Sequence, residues 1–371
     1  MGAPRRSGPA PSPGPRGRPS GPPDPRAKNE VRSRVDVIVC GAQVPFVSGG
    51  AELHMQNIVR AMQEAGHRSE LVHLPTAWEK DRLFDAPLAW RMLPLDADVV
   101  VATNFPSYFA RHDHKVVWLF HQHRGAYDAI DAPWSDLGLD DDALEVQRQL
   151  TEWDTRALEE ARHVFTTSHV VADRLARFNG LDGEALYHPP PLADRLRTGE
   201  MGDYVFTPTR LETNKRPDRI VDAMAHVRSG VRAVVAGRGS MAADLAAGVE
   251  RQNLGDRVEL AGFVPDAELV DRYAGALGVI YAPFDEDYGY VTLQAFLAGK
   301  PVITAHDAGG VLEWVEDGVT GYVTDGTPEG LADAVERLAA DRDNARAMGE
   351  EGRRRAAELS WSKVVERLLS A

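Results

Sequence analysis

The sequence predicts an α/β protein of two doubly wound, Rossmann-like domains that face each other across a cleft. Three observations predict it. Strand-length apolar runs alternate with helix-period stretches from Val35 onward, which implies parallel sheets covered by helices on both faces. The alternation stops at the stiff Pro189-Pro190-Pro191 run and then restarts. The chain has 371 residues, 43% of them hydrophobic, enough to fill the cores of two domains of ordinary size.

In chain order, residues 1–34 are rich in Pro, Gly, Ser and Arg. They are expected to be a disordered tail because they have almost nothing to bury, and Arg5, Arg6, Arg16, Arg18 and Arg26 read as solvated. Residues 35–190 form the first domain. Its strands are expected at Val35–Cys40, Glu70–Leu74, Asp98–Thr103, Lys115–Phe120 and His163–Ser168. Met55, Ile58, Val59 and Met62 recur at helical spacing within Ala51–Ala65, and a long polar helix is expected near Asp142–Ala161. Residues 191–361 form the second domain. Its strands are expected at Tyr204–Thr209, Arg232–Ala236, Arg257–Gly262, Gly278–Pro283, Pro301–Thr304 and Gly321–Val323, with helices at Arg219–Val227, Met241–Gln252 and Ala267–Ala274 between them. The helical stretch from Pro328 to Ala371 is long enough for its end, residues 362–371, to pack back on the first domain.

Charge and composition exclude some functions. A net charge of -14 argues against a general nucleic-acid binder, which needs a basic footprint. The single cysteine, Cys40, cannot form an internal disulfide and reads as a buried thiol. No apolar run approaches the ~20 residues of a transmembrane helix, and the N-terminus lacks the apolar stretch of a secretory signal. These features fit a cytoplasmic protein. His67, Arg68, Arg111, His112, His114 and Lys115 give the first domain some basic character, too diffuse to claim lipid docking, so peripheral membrane contact is left open.

The segment Tyr281–Pro301 carries the most chemistry. It reads as a strand, an acidic loop (Asp285, Glu286, Asp287) and a short helix that opens at Gly289 and stops at Gly299 and Pro301. Free N–H groups at such a helix start favour phosphate. The backbone amides of Tyr290, Val291 and Thr292 would face a diphosphate, and Glu286 and Gln294 would grip the sugar and ribose ends of one ligand. Asp285-x-Asp287 also has the spacing of a carboxylate pair for a divalent metal. Asp287 reads equally as a negative cap on the helix dipole, worth only ~0.3–1 kcal/mol. Arg210 and Lys215 share one strand-to-helix loop and can converge on the diphosphate as a planar fork and a point charge, each charge-assisted bond contributing ~1.5–3 kcal/mol. Arg216 competes with Lys215 for that role. Cations there make metal use of the acidic pair the weaker reading. The Ser48-Gly49-Gly50-Ala51-Glu52 loop lets backbone approach a ligand, although an ordinary turn reads the same way. It is not a dinucleotide fingerprint. Gly237-Arg238-Gly239 admits a base, a phosphate or a plain turn. His121 and His123 follow the strand KVVWLF, where a histidine faces the cleft if the sheet reading holds, although a lone histidine is more often structural.

Together these residues resemble glycosyltransferase family four, the retaining group-1 type glycosyltransferases of the GT-B fold. The match rests on Gly49–Glu52, on Arg210 and Lys215, on Glu286 followed by seven residues and Gln294, and on Gly309, Gly310, Glu313, Asp317 and Gly318. The resemblance implies an acceptor-side first domain and a nucleotide-sugar-binding second domain. It implies transfer of a sugar from a nucleotide donor (UDP-, GDP- or dTDP-linked) to a hydroxyl of a glycan, glycolipid or small aglycone, with retention of configuration. No metal and no cofactor are expected. Glu286 would hold the donor sugar, Arg210 and Lys215 the diphosphate, and Gln294, where the family has Glu, the ribose. His121, with His123 as alternative, would sit near the sugar. Two other readings stand beside it: a GT-B enzyme of another reaction type, such as an epimerase, and a decayed nucleotide-sugar-binding protein.

Overall fold

The computed structural model describes residues 34–44, 49–130, 135 and 137–371. Ser48 and the tail arginines lie outside the described residues. The first sheet is built from β1 (Asp36–Gln43), β2 (Arg68–Pro75), β3 (Val99–Ala102), β4 (Lys115–Leu119), β5 (His163–Thr166) and β6 (Glu184–Ala185). Its order is β2-β1-β3-β4-β5-β6, with every pairing parallel. Strands covered on both faces read as continuous apolar runs rather than alternating ones. The sequences VVVA in β3 and KVVWL in β4 do so, and both strands are wholly buried.

The helices supply the cover. On one face lie α1 (Gly50–Glu64) and the last helix of the chain, α11 (Trp361–Ser370). Met55, Ile58 and Met62 of α1 share a core with Val364, Val365 and Leu368 of α11. The opposite face is covered by α2 (Asp85–Met92), α3 (Asp141–Glu159) and α4 (His169–Asn179) through Trp90, Leu150, Leu158, Val171 and Leu175. Each such side chain contributes about 1.5–3 kcal/mol on burial. Cys40 lies in this core, and burial pushes its thiol pKa far up.

The second sheet comprises β7 (Tyr204–Pro208), β8 (Arg232–Ala236), β9 (Val258–Gly262), β10 (Gly278–Ile280), β11 (Val302–Ala305) and β12 (Gly321–Thr324). Its order is β12-β11-β10-β7-β8-β9, again all parallel. One face carries α5 (Pro217–Ala223), α6 (Ala242–Arg251) and α9 (Pro328–Ala340). The other carries α7 (Asp266–Gly275) and α8 (Tyr290–Leu297), with α10 (Arg342–Ala356) against α8. Among the described residues no helix is long and apolar enough to cross a membrane.

Candidate active site

Ligands of doubly wound sheets sit beyond the carboxyl ends of the strands, where the strand order reverses. In the second sheet that point lies between β7 and β10, which pair directly. The loops leaving these two strands are the ones that carry Arg210–Lys215 and Asp285–Gly289. Topology therefore brings the cationic and acidic loops together. Lys215 ends a 3-10 turn over Thr213–Lys215 and is buried. Its Nζ makes a close ion pair with Glu286 Oε2. Arg216 is committed elsewhere: it forms two 2.7 Å bonds to the Asp307 carboxylate. Arg210 is exposed and makes no hydrogen bond or ion pair among the described residues. Burial, then the Glu286 carboxylate, drive the Tyr281 phenol pKa well up, and the Arg210 charge opposes them. Arg210, Lys215, Tyr281 and Glu286 thus form one cluster.

Gly309 and Gly310 form the back of the acidic loop. Gly309 has φ +63°, and a Cβ on it would fall 2.6 Å from the Glu286 carbonyl oxygen. A Cβ on Gly310 would fall 2.6 Å from that of Asp287. With no side chains in the way, Gly310 N–H donates to Glu286 O at 2.7 Å.

The aspartates of the loop face the first domain. Arg124 donates to the Asp285 carbonyl (2.8 Å) and to its carboxylate (2.5 Å). Arg174, almost wholly buried on α4, reaches Asp287 at 2.6 Å, Asp285 at 3.3 Å and Asp128 at 3.1 Å. Ser168 Oγ donates to the Asp287 carbonyl at 2.5 Å. Burial works against ionised Asp287, but Arg174 and Arg124 outweigh it and hold the carboxyl far below the usual range. Burial, then neighbouring Asp128, push Asp285 the other way. Both carboxylates, whose spacing also fits a metal pair and of which Asp287 also read as a helix cap, are engaged by guanidinium groups. Nothing in the side chain of Asp287 caps α8, whose N-cap is Gly289 at φ +81°. Among the described residues no three His, Cys, Asp or Glu are placed to hold a metal ion. Farther along the cleft, Glu313 accepts from the N–H groups of His169 (3.2 Å) and Val170 (2.9 Å) at the start of α4, and from Tyr187 Oη.

Of the three amides expected at the diphosphate, that of Thr292 is used internally, donating to Gly289 O at 3.0 Å. Those of Tyr290 and Val291 begin α8, where no carbonyl of the helix lies a turn behind them. Gly49 N-caps α1, its N–H held by Glu52 at 2.8 Å. Gly50 lies against the Tyr290 ring, 3.7 Å from where its Cβ would stand. The Tyr290 hydroxyl lies 3.0 Å from His54 Nδ1 and 2.9 Å from His188 Nε2. Burial keeps both imidazoles neutral and lowers His54 to about 3.

Gln294, expected at the ribose, has both ends of its side chain bonded within the protein. It is buried; its Oε1 accepts from Tyr273 Oη at 3.0 Å and its Nε2 donates to Pro191 O at 3.1 Å. His121 is half-buried, and its Nδ1–H donates to the Gln122 carbonyl at 2.7 Å. That leaves Nε2 as the available nitrogen. It lies close enough to Asp287 to affect that carboxyl. His123 is packed under Trp78, with ring centroids 5.3 Å apart, and burial lowers it to about 4. The basic residues of the first domain sit around the amino ends of β2 and β4, away from the cleft. Lys115 is buried, donating to Tyr108 O (2.9 Å) and Ala157 O (2.7 Å).

The sequence pattern of "Glycosyl transferases group 1" matches residues 193–355. Over residues 193–355 the chain is thus similar to group 1 glycosyl transferases. This stretch begins just before β7 and ends in α10, so it coincides with the second sheet and its helices. The chain is similar to the D-inositol 3-phosphate glycosyltransferase of Nocardia farcinica, 26% identical over 92% of this chain and 82% of that one. It is 32% identical to the enzyme of the same name from Segniliparus rotundus, over 44% of this chain and 38% of that one. A GDP-mannose-dependent alpha-(1-6)-phosphatidylinositol monomannoside mannosyltransferase of Mycobacterium tuberculosis is 34% identical over 49% of this chain and 51% of its own. The chain thus spans about half or less of the length of the last two. Among solved structures, HepE from Anabaena with UDP-glucose matches at TM-score 0.69 and 18% identity, covering 91% of this chain and 99% of that one. Sucrose-phosphate synthase from Thermosynechococcus elongatus matches at 0.67 and 18%, covering 91% and 98%. The two-sheet architecture is the GT-B fold.

Around this site, sequence reasoning missed Arg174, Asp128, Ser168, His54 and His188. Arg124 directly follows His123 in the sequence but drew no role there. Arg174 has no local signal, since an arginine in mid-helix usually points to solvent.

Proposed function

We propose that the protein transfers a sugar from a nucleoside-diphosphate sugar to an acceptor hydroxyl, with retention at the anomeric carbon and without a metal. The observation that carries this reading is the Lys215–Glu286 contact at the β7/β10 switch point, beside exposed Arg210 and the first amides of α8. Arg210, Lys215 and the Tyr290 and Val291 amides take the diphosphate; Glu286 takes hydroxyls of the donor sugar. His121 Nε2 and the Gly49–Gly50 loop close the opposite wall. Cations aimed at the departing diphosphate stabilise the charge that develops there, the task a metal performs elsewhere. That Asp285 and Asp287 are already paired with arginines supports the metal-free reading. In the reaction the bond from the anomeric carbon to the diphosphate breaks. The acceptor oxygen bonds to that carbon on the same face, and its proton passes to the departing phosphate.

The names of similar proteins point to UDP- or GDP-linked donors, dTDP being the third carrier to include. The acceptor is a glycan, a glycolipid or a small aglycone, and the reaction belongs in the cytoplasm. The test is a panel of UDP-, GDP- and dTDP-sugars with EDTA present, followed by NMR of the product anomer. Lys215→Met is expected to weaken donor binding about tenfold or more, the loss of one charge-assisted bond. An inverted product, or turnover abolished by EDTA, would refute the reading.

A further inference from the structure

Three consecutive residues of the acidic loop are held from opposite sides. Glu286 is anchored within its own domain, by Lys215 at its carboxylate and by Gly310 at its carbonyl. Its two neighbours are anchored to the other domain. Arg124 and Arg174 hold Asp285, Arg174 also holds Asp287, and Ser168 holds the Asp287 carbonyl. Between these two anchored neighbours, Glu286 is bridged to Gly309 of its own domain, so the flanking pair and the middle residue are held toward different domains. Asp285 has φ +44°, a left-handed conformation that a non-glycine residue keeps only where its surroundings over-determine it. The bonds from Arg124 and Arg174 supply part of that determination, beside the Asp285 N–H bond to Asp307 O (2.9 Å) within its own domain. Asp128, bonded to both arginines, orients the guanidinium groups.

We propose that Arg174, assisted by Arg124, is a positioning residue that aims Glu286 at the donor sugar only when the two domains are closed on each other. The inference rests on the donor-site reading above and adds to it a residue of the other domain. Arg174 touches no ligand; it acts through the loop. A nucleoside diphosphate ends at the phosphates and does not need Glu286, whereas a nucleotide sugar does. Loss of Arg174 therefore removes the sugar's share of binding and spares the nucleotide's. Lysine is no substitute, because a point charge cannot bridge three carboxylates as a planar fork does.

Calorimetric titration of UDP, GDP, UDP-glucose and GDP-mannose into the full chain tests this. Arg174→Met and Arg174→Lys are expected to weaken the bound nucleotide sugar by about tenfold and the matching nucleoside diphosphate by less than about twofold. Adding Glu286→Gln to Arg174→Met should cost nothing further, as for two residues acting through one contact. Asp287→Asn, which keeps the side-chain shape, gives the same selectivity by a second route if the arginine variants do not fold. Equal weakening of both ligands, or additive losses in the double variant, would overturn the inference while leaving the donor site intact. A wild-type chain that binds neither nucleotide sugars nor nucleoside diphosphates would instead overturn the donor-site reading, and the inference with it.

Discussion

Replacing Gln294 with Glu separates two accounts of one position. By its place in the sequence, a carboxylate there would gain a charge-assisted bond to ribose, worth about 1 kcal/mol. By the structure, it would lose stability instead. The amide Nε2 donates to Pro191 O at 3.1 Å, and Tyr273 donates to Oε1 at 3.0 Å. Glutamate keeps the tyrosine bond but sets an oxygen against the Pro191 carbonyl. An orphaned buried carbonyl costs about 1–3 kcal/mol, and burying the ionised carboxylate adds about 1.4 kcal/mol for each pKa unit it is displaced. The expected penalty at pH 8 is about 2–4 kcal/mol, or about 4–8 °C in Tm. Burial raises the folded-state pKa of the introduced carboxyl. Its proton is then retained in the folded protein at a pH where the unfolded chain has lost it. The penalty should therefore be small near pH 5, where the protonated side chain of the variant can donate to Pro191, and grow as pH rises through the folded pKa. Thermal melts of wild type and Gln294→Glu at pH 5 and pH 8, with titration of nucleoside diphosphate, measure both quantities. A variant as stable as wild type at pH 8 that binds the diphosphate more tightly would refute the structural account.

Two more predictions concern buried polar groups. Burial lifts the Asp154 carboxyl to about 7 against the hydrogen bond from Tyr127 (2.6 Å), a displacement worth about 4 kcal/mol. This stability is present below the usual carboxylate pKa and lost as pH rises toward 7–8. Asp154→Asn should flatten the fall in the urea midpoint between pH 5 and pH 8, and an unchanged slope would show that another group governs it. Tyr290→Phe leaves His54 Nδ1 and His188 Nε2 without their shared hydroxyl, at a cost of about 1–3 kcal/mol. Differential scanning calorimetry should show the lower Tm, and a wild-type melt would mean the hydroxyl does not join the domains.

Much of the fold was legible because its cause is local. Wholly buried parallel strands are apolar along most of their length, so VVVA, KVVWL and VITA mark β3, β4 and β11 without knowledge of their neighbours, Lys115 and Thr304 notwithstanding. The periodicity does not mark α2 or α4. The first is short and contains Pro87; the second follows β5 after only two residues, Thr167 and Ser168. Lys215 and Glu286 were readable because both leave strands at the carboxyl end, where an alternating pattern puts its functional loops.

By itself, then, the sequence determined two parallel sheets, the loops that meet at their carboxyl ends and the residue types those loops present. The tertiary structure decided which partners those residues take. It gave Lys215 to Glu286 and Arg216 to Asp307, turned Gln294 inward to Tyr273 and Pro191, and paired Asp285 and Asp287 with arginines of the other domain. Arg174 and Asp287 lie 113 residues apart, Arg124 and Asp285 161 apart. A local pattern records the period of a backbone and the face a side chain occupies. It holds no record of strand order or of how two domains close, and those bring such residues to within a hydrogen bond of each other.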